Sequence, residues 1–234
     1  MDLRKLRPAK LRAALSRRAF EQVLSRTPLR AAPGLADLGT AYGGWTVPEG
    51  LIGEGWTCYT VGAGGDISFD LALIERHGAT VRAFDAVEGY VQEANAKAAQ
   101  EPRFSAHHAA IAVADGPLRM QVTHDEQSRS VSSAGLYQSE RYIELPGRSV
   151  ASLMAQLGDE RIDLFKLDIE GGEYEVIPAL DLRALGVKLF ATQLHHTGSI
   201  GGARRLVAGL RDQGYEPVAC RPAVKLTFAR ADLL

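Results

Sequence analysis

From Thr57 onward, short apolar runs alternate with helical patterns, and the first run ends in Gly62-Ala63-Gly64-Gly65. This rhythm constrains the fold more than any other feature. Strands joined through helices must lie parallel in one sheet, with helices on both faces. Strands are predicted at Thr57–Val61, Ala79–Phe84, Phe104–Ile111, Ile162–Asp168 and Val187–His195, with an extra strand at Leu118–Val122. Helices are predicted at Ile67–Arg76, about 87–100, Val150–Leu157, Glu173–Leu180 and Gly202–Gln213. Two last strands, Tyr215–Cys220 and Lys225–Ala229, follow without a helix between them and read as an antiparallel edge hairpin. The expected fold is α/β: a doubly wound, mostly parallel sheet with that hairpin at one edge. Segment 35–56 reads as irregular structure, and the polar, Ser-rich stretch 125–140 reads as a loop.

At 234 residues the chain fits one large domain. No apolar run approaches the ~18 residues of a membrane span. Cys58 and Cys220 are too few for a disulfide framework or a cysteine-built zinc site. A reduced, cytoplasmic setting without a secretory leader is the expectation. The net charge of −1 conceals an asymmetry: residues 1–30 hold nine basic and two acidic side chains, net +7, against −8 for the remainder. Such a head can touch an anionic surface peripherally. It can equally lie as an amphipathic helix on the acidic body, with Leu11, Leu15, Val23 and Leu24 as its apolar stripe. Thr27-Pro28 and Ala32-Pro33-Gly34 end that helix, which divides the chain into a basic N-terminal helical extension, 1–34, and a main domain, 35–234. No nucleic-acid partner is expected.

Ligands of doubly wound sheets bind beyond the carboxyl ends of the strands, where the strand order reverses. Three such ends carry chemistry here. At the first, Gly62 and Gly64 let the backbone approach a ligand, but Ile67 stands where a dinucleotide fingerprint needs its third glycine. Asp66, just inside the turn, would repel a pyrophosphate and suits an ammonium or a hydroxyl. At the second, Asp85 closes its strand about twenty residues on, the spacing at which a carboxylate accepts from both ribose hydroxyls of an adenosine; its other reading is a helix cap. At the third, Lys166, Asp168 and Glu170 crowd a strand end, and Glu173 reads as a favourable charge at the start of the next helix.

Phe165-Lys166-Leu167-Asp168-Ile169-Glu170-Gly171-Gly172-Glu173 resembles the Lys-x-Asp-x-Glu-Gly-x-Glu signature of FkbM-type methyltransferases, and the resemblance extends over roughly residues 40–229. It implies a Rossmann-like, class I methyltransferase-like sheet and S-adenosyl-L-methionine as cofactor. By that similarity Gly62, Gly64 and Asp66 would lie along the methionine part, Asp85 would hold the ribose, and Asp168 would stand near the reacting methyl. Two positions depart from the pattern: Thr60 replaces an acid two residues before the first glycine, and Gln193 replaces the Glu of a Glu-x-His strand end. His195 or His196 then becomes the natural base.

The reading that follows is an O-methyltransferase acting on a hydroxyl of a small molecule or glycan, with Asp168, Glu170 and His195 catalytic. Trp45 or Tyr42 would offer an aromatic face to the sulfonium. No metal is expected, although His195 with Asp168 and Glu170 makes a two-oxygen, one-nitrogen donor set, because no second histidine has suitable spacing. The rival class is a non-catalytic methyltransferase-like protein that binds a partner through its basic helix. The acids at the second and third strand ends favour catalysis.

Overall fold

The computed structural model of the protein describes residues 8–123, 131–134 and 140–234. Helix α1 spans Pro8–Leu24, and β1 (Leu35–Leu38) and β2 (Trp45–Pro48) form an antiparallel pair. Then come β3 (Thr57–Val61), α2 (Ser68–His77), β4 (Thr80–Asp85), α3 (Glu88–Lys97), β5 (Phe104–His108), β6 (Ala110–Ile111), β7 (Gly116–Val122) and β8 (Val131–Ser132). They are followed by β9 (Tyr142–Arg148), α4 (Val150–Leu157), β10 (Leu164–Leu167), α5 (Glu173–Val176), β11 (Leu189–Gln193), α6 (Ile200–Asp212), β12 (Tyr215–Arg221) and β13 (Lys225–Arg230).

The central sheet has seven strands in the order β12-β13-β11-β10-β3-β4-β5. Its inner pairs are parallel, while β13 runs antiparallel to both β11 and β12. The expected doubly wound sheet with its edge hairpin is therefore present. The order reverses between β3 and β10. Alternation along the strands feeds two cores: Tyr59, Phe165, Phe190 and Phe228 pack on one face with α4 and α6, and Cys58, Leu164, Leu189 and Ala191 pack on the other with α2 and α3. Phe20 and Leu24 of α1 are buried in the first of these cores.

Several expectations need correction. Segment 35–56 is not irregular: it holds the β1–β2 pair, which Thr227 ties to the main sheet by donating from Oγ1 to Thr46 O at 2.7 Å. Phe104–Ile111 is not one strand. Its first half follows β4, Ala109 N donates to Asp85 O, and β6 leaves to pair with β9 in a separate four-stranded sheet, β6-β9-β7-β8. The helix expected over Glu173–Leu180 gives way to a tighter turn at Ile177–Ala179, where Pro178 lacks the amide an α-helix needs. Val131–Ser132 in the predicted loop is a strand, and the rest of 125–139 lies outside the described residues, as do Arg4, Lys5, Arg7 and the side chains of Lys10, Leu11 and Arg12.

Candidate active site

A cavity of about 670 Å³ opens at the carboxyl ends of β3, β4, β10 and β11, at the point of strand reversal. Its lining includes Trp45, Gly62, Gly64, Asp66, Asp85, Asp168 and Glu170, and its volume is in the range of small-molecule and cofactor sites.

The glycine turn is built on backbone contacts. Gly62 has φ +77°, its amide donates to Phe84 O at 2.8 Å, and a Cβ there would meet Asp168 O at 2.0 Å, so no other residue fits. Gly64, at φ +53°, donates its amide to Asp85 Oδ2 at 2.9 Å. A Cβ on Gly64 or Gly65 would meet nothing within 4 Å, which leaves open space for a ligand over the turn. Lys166, buried on β10, donates from Nζ to Val61 O and Gly62 O at 2.9 and 2.7 Å and locks the strand end beneath the turn.

Asp85 combines the two roles read from the sequence. Oδ1 accepts from Val87 N at 2.8 Å and Oδ2 from Gly64 N, so the carboxylate caps the α3 entry and shapes the turn. Each oxygen retains a second lone pair. Burial pushes its pKa up, against the two amides and Lys166.

Asp66 is more committed than its position suggested. Its carboxylate accepts from Ser68 N at 2.9 Å and from Thr40 Oγ1, latching the β1–β2 loop to the start of α2. Burial acts to raise its pKa, but the hydroxyls of Ser68 and Thr40 and the amides of Ser68 and Gly43 outweigh it and hold the carboxyl below its usual range. The acid missing at Thr60 is supplied from α2: Thr60 Oγ1 donates to Asp70, whose fully buried carboxyl is pushed up by desolvation.

Trp45 lines the cavity but is almost wholly buried, and its nearest cations are the ammonium groups of Lys225 and Lys166, at 5.0 and 5.9 Å from the ring. Tyr42 stands 84% exposed at the rim.

The third strand end brings Asp168, Glu170 and His195 together. One ligand atom from each lies within 4.8 Å of the others. β10 ends at Leu167, and Glu170 takes the left-handed conformation, φ +53°, rare for a residue with a side chain and concentrated at functional sites. His195 Nε2 lies 3.8 Å from Asp168 Oδ1 and 3.5 Å from Glu170 Oε2. Its other nitrogen, Nδ1, meets Glu173 Oε1 at 3.0 Å.

Glu173 is not merely a charge at a helix start. It is 0% exposed, accepts the Ile169 amide at 3.0 Å and holds the histidine ring from behind. Burial would lower the His195 pKa, but the hydrogen bond and charge of Glu173, with Asp168 and Glu170 beyond, carry it up to about 9. His196 points away, with Nε2 on Ser16 Oγ of α1 at 2.9 Å and its ring edge-on to Phe20. His107 and His108 contact Ser105 and Ala86 O outside the cavity.

Sequence reading did not single out the far wall, where Arg221, Ala223 and Lys225 line the cavity. Ala223 and Val224 both have positive φ, which turns the β12–β13 connection toward the site. The Arg221-Pro222 step between two strands was the available signal.

A parallel sheet reversing over a glycine turn, with acids at three strand ends around one cavity, defines an α/β enzyme of the cofactor-binding kind. The match that gives it a chemistry is to the Methyltransferase FkbM domain, whose family model covers residues 61–217; the chain belongs to this family. It is an S-adenosylmethionine-dependent methyltransferase. No curated protein matches the chain. Among solved structures it is similar to the Methanococcus jannaschii fibrillarin pre-rRNA processing protein, at 10% identity and a TM-score of 0.47 over 77% of this chain and 69% of that one. It is also similar to a SAM-dependent methyltransferase from Aquifex aeolicus, at 13% identity and a TM-score of 0.36 over 76% and 83%. A methyltransferase from Pyrococcus furiosus gives 10% and 0.41 over 93% and 98%. The family assignment rests on the family match and not on these distant likenesses. Among the described residues no helix is long and apolar enough to cross a membrane.

Proposed function

We propose that this methyltransferase acts on a hydroxyl oxygen of a small molecule or glycan. The observation that carries this reading is a single cavity with a ligand-accommodating glycine turn at one end and the Asp168–Glu170–His195 cluster at the other. When bound, S-adenosylmethionine supplies a methyl group already activated by its sulfonium.

The residues that would hold it are Gly62, Gly64 and Asp85. The open space over Gly64 and Gly65 admits the methionine part, and the spare lone pairs of Asp85 accept from the ribose hydroxyls. Asp66 and Trp45 act mainly by fixing the walls, since Asp66 is tied to Thr40 and Ser68 and Trp45 is packed between two lysines.

Displacement at an activated methyl asks little of the protein beyond alignment, exclusion of water and removal of one proton. Asp168 and His195 are the groups that accept the proton of the acceptor hydroxyl. Glu170 orients them, and Glu173 fixes the imidazole ring. The deciding experiment is a methyl-transfer screen of hydroxylated metabolites and glycans, with product analysis locating the new methyl. Methylation on oxygen is expected, and transfer only to nitrogen or carbon acceptors would overturn the reading.

A further inference from the structure

We propose that Asp168, Glu170 and His195 form a binding site for one divalent cation on the cavity wall. Three observations carry it. The first is spacing. The His195 Nε2 contacts of 3.5 and 3.8 Å are too long for strong hydrogen bonds. They match the ~3–4 Å that separates donors sharing one ion at ~2.0–2.2 Å each.

The second is the back of the histidine. Ligating imidazoles usually donate their other N–H to a carboxylate, which fixes the ring and raises ligand basicity. Glu173 Oε1 takes that position at Nδ1, and Nε2 is left facing the two acids.

The third is an uncompensated charge. Glu173 is fully buried, and its Oε2 has no hydrogen-bond partner among the described residues. Three carboxylates thus surround one imidazole, while the nearby ammonium groups of Lys166 and Lys225 are spent on the carbonyls of Val61, Gly62 and Tyr42. Buried charge of this kind is stable when paired or when it coordinates a metal.

The sequence argued against a metal because no second histidine was spaced for it. The structure shows instead a second-sphere carboxylate supporting a single histidine. One imidazole and two carboxylates suit Mn²⁺, Mg²⁺ or Zn²⁺, and three protein donors leave positions open toward the cavity, as in catalytic sites. Resting on the proposed hydroxyl chemistry, the acceptor oxygen takes one open position. The ion makes its proton more acidic, and the Asp168 oxygen not on the ion receives it.

The test is titration of EDTA-stripped full-length protein with Mn²⁺, read by electron paramagnetic resonance, with S-adenosylhomocysteine affinity measured on the same samples. One Mn²⁺ per chain is expected. Glu170→Gln, at a partly exposed side chain that the fold tolerates, should weaken it at least tenfold, and Glu173→Gln about 10–100-fold. Homocysteine-cofactor affinity should stay within about threefold and so report an intact fold. Absence of Mn²⁺ and Zn²⁺ binding, or binding that survives both substitutions, overturns the site. Neither result touches the hydroxyl assignment, which the product of methyl transfer decides on its own.

Discussion

The two ends of the central strands use the same kinds of residue to opposite effect. At the amino ends, Asp163 is fully buried and fully answered: Thr57 N donates to it at 3.0 Å, Lys188 Nζ at 2.8 Å, and Arg161 Nε at 3.4 Å. It staples β3, β10 and β11 together. At the carboxyl ends of the same strands, Asp168, Glu170 and Glu173 gather around one histidine beside an open cavity. Burial alone does not separate structural acids from functional ones. The supply of partners does: at one end the protein provides the cations, and at the other it leaves the charge for something that arrives.

The sharpest break of that comparison is Asp163→Ala. It leaves Lys188 and Arg161 without their buried partner and should cost about 3–4 kcal/mol of stability by denaturant titration. Cofactor affinity of the remaining folded protein should be unchanged. A loss of affinity without a loss of stability would reverse the roles of the two ends.

Asp168→Asn is the counterpart. Turnover should fall ~100-fold or more, with the denaturation midpoint unmoved or raised, because a repelling charge is removed at an unpaired site. Equal losses in turnover and stability would make Asp168 another staple.

Between them stands Asp85→Ala. Removing charge-assisted hydrogen bonds to two hydroxyls should cost ~2–3 kcal/mol, or roughly 30- to 150-fold in S-adenosylhomocysteine affinity by calorimetry. Asp85→Asn, which preserves acceptance from Gly64 or Val87, should lose less. Equal affinity for wild type and Asp85→Ala would end the ribose assignment.

The smallest effect concerns the basic helix. Arg17→Glu with Arg18→Glu, both on the solvent side of α1, should reduce sedimentation with acidic liposomes several-fold at low salt while leaving cofactor affinity alone. Wild-type protein that never sediments would leave α1 with packing as its whole role.

The sheet was legible because its strands are short apolar runs set between helical patterns, and Asp85 and Asp168 were legible because they end such runs. Less legible was whatever depends on pairing between distant segments. β1 and β2 are four residues each, and the burial of Leu38 and Val47 comes from the sheet they pack on. Glu173 was misread because its helix-start position has an ordinary explanation, and its contact with His195, 22 residues later, exists only once β11 lies beside β10. Asp70 escaped notice because a helix hides which of its acids turns inward. The breaks in Phe104–Ile111 and Glu173–Leu180 came from a change of sheet and a proline, of which only the second was visible in the sequence.

The placement of α1 has a consequence for how the chain is made. Its buried Phe20 meets His196, Ser16 bonds to the same ring, Arg30 N donates to Pro217 O, and Arg211 reaches Pro28 O. Each partner is translated some 180 residues after the segment it receives. During synthesis the helix therefore leaves the ribosome with its apolar side uncovered and waits for nearly the whole sheet to be assembled. Nascent chains stalled before α6 should expose this helix to proteases and holding chaperones, and release of the last forty or so residues should close it.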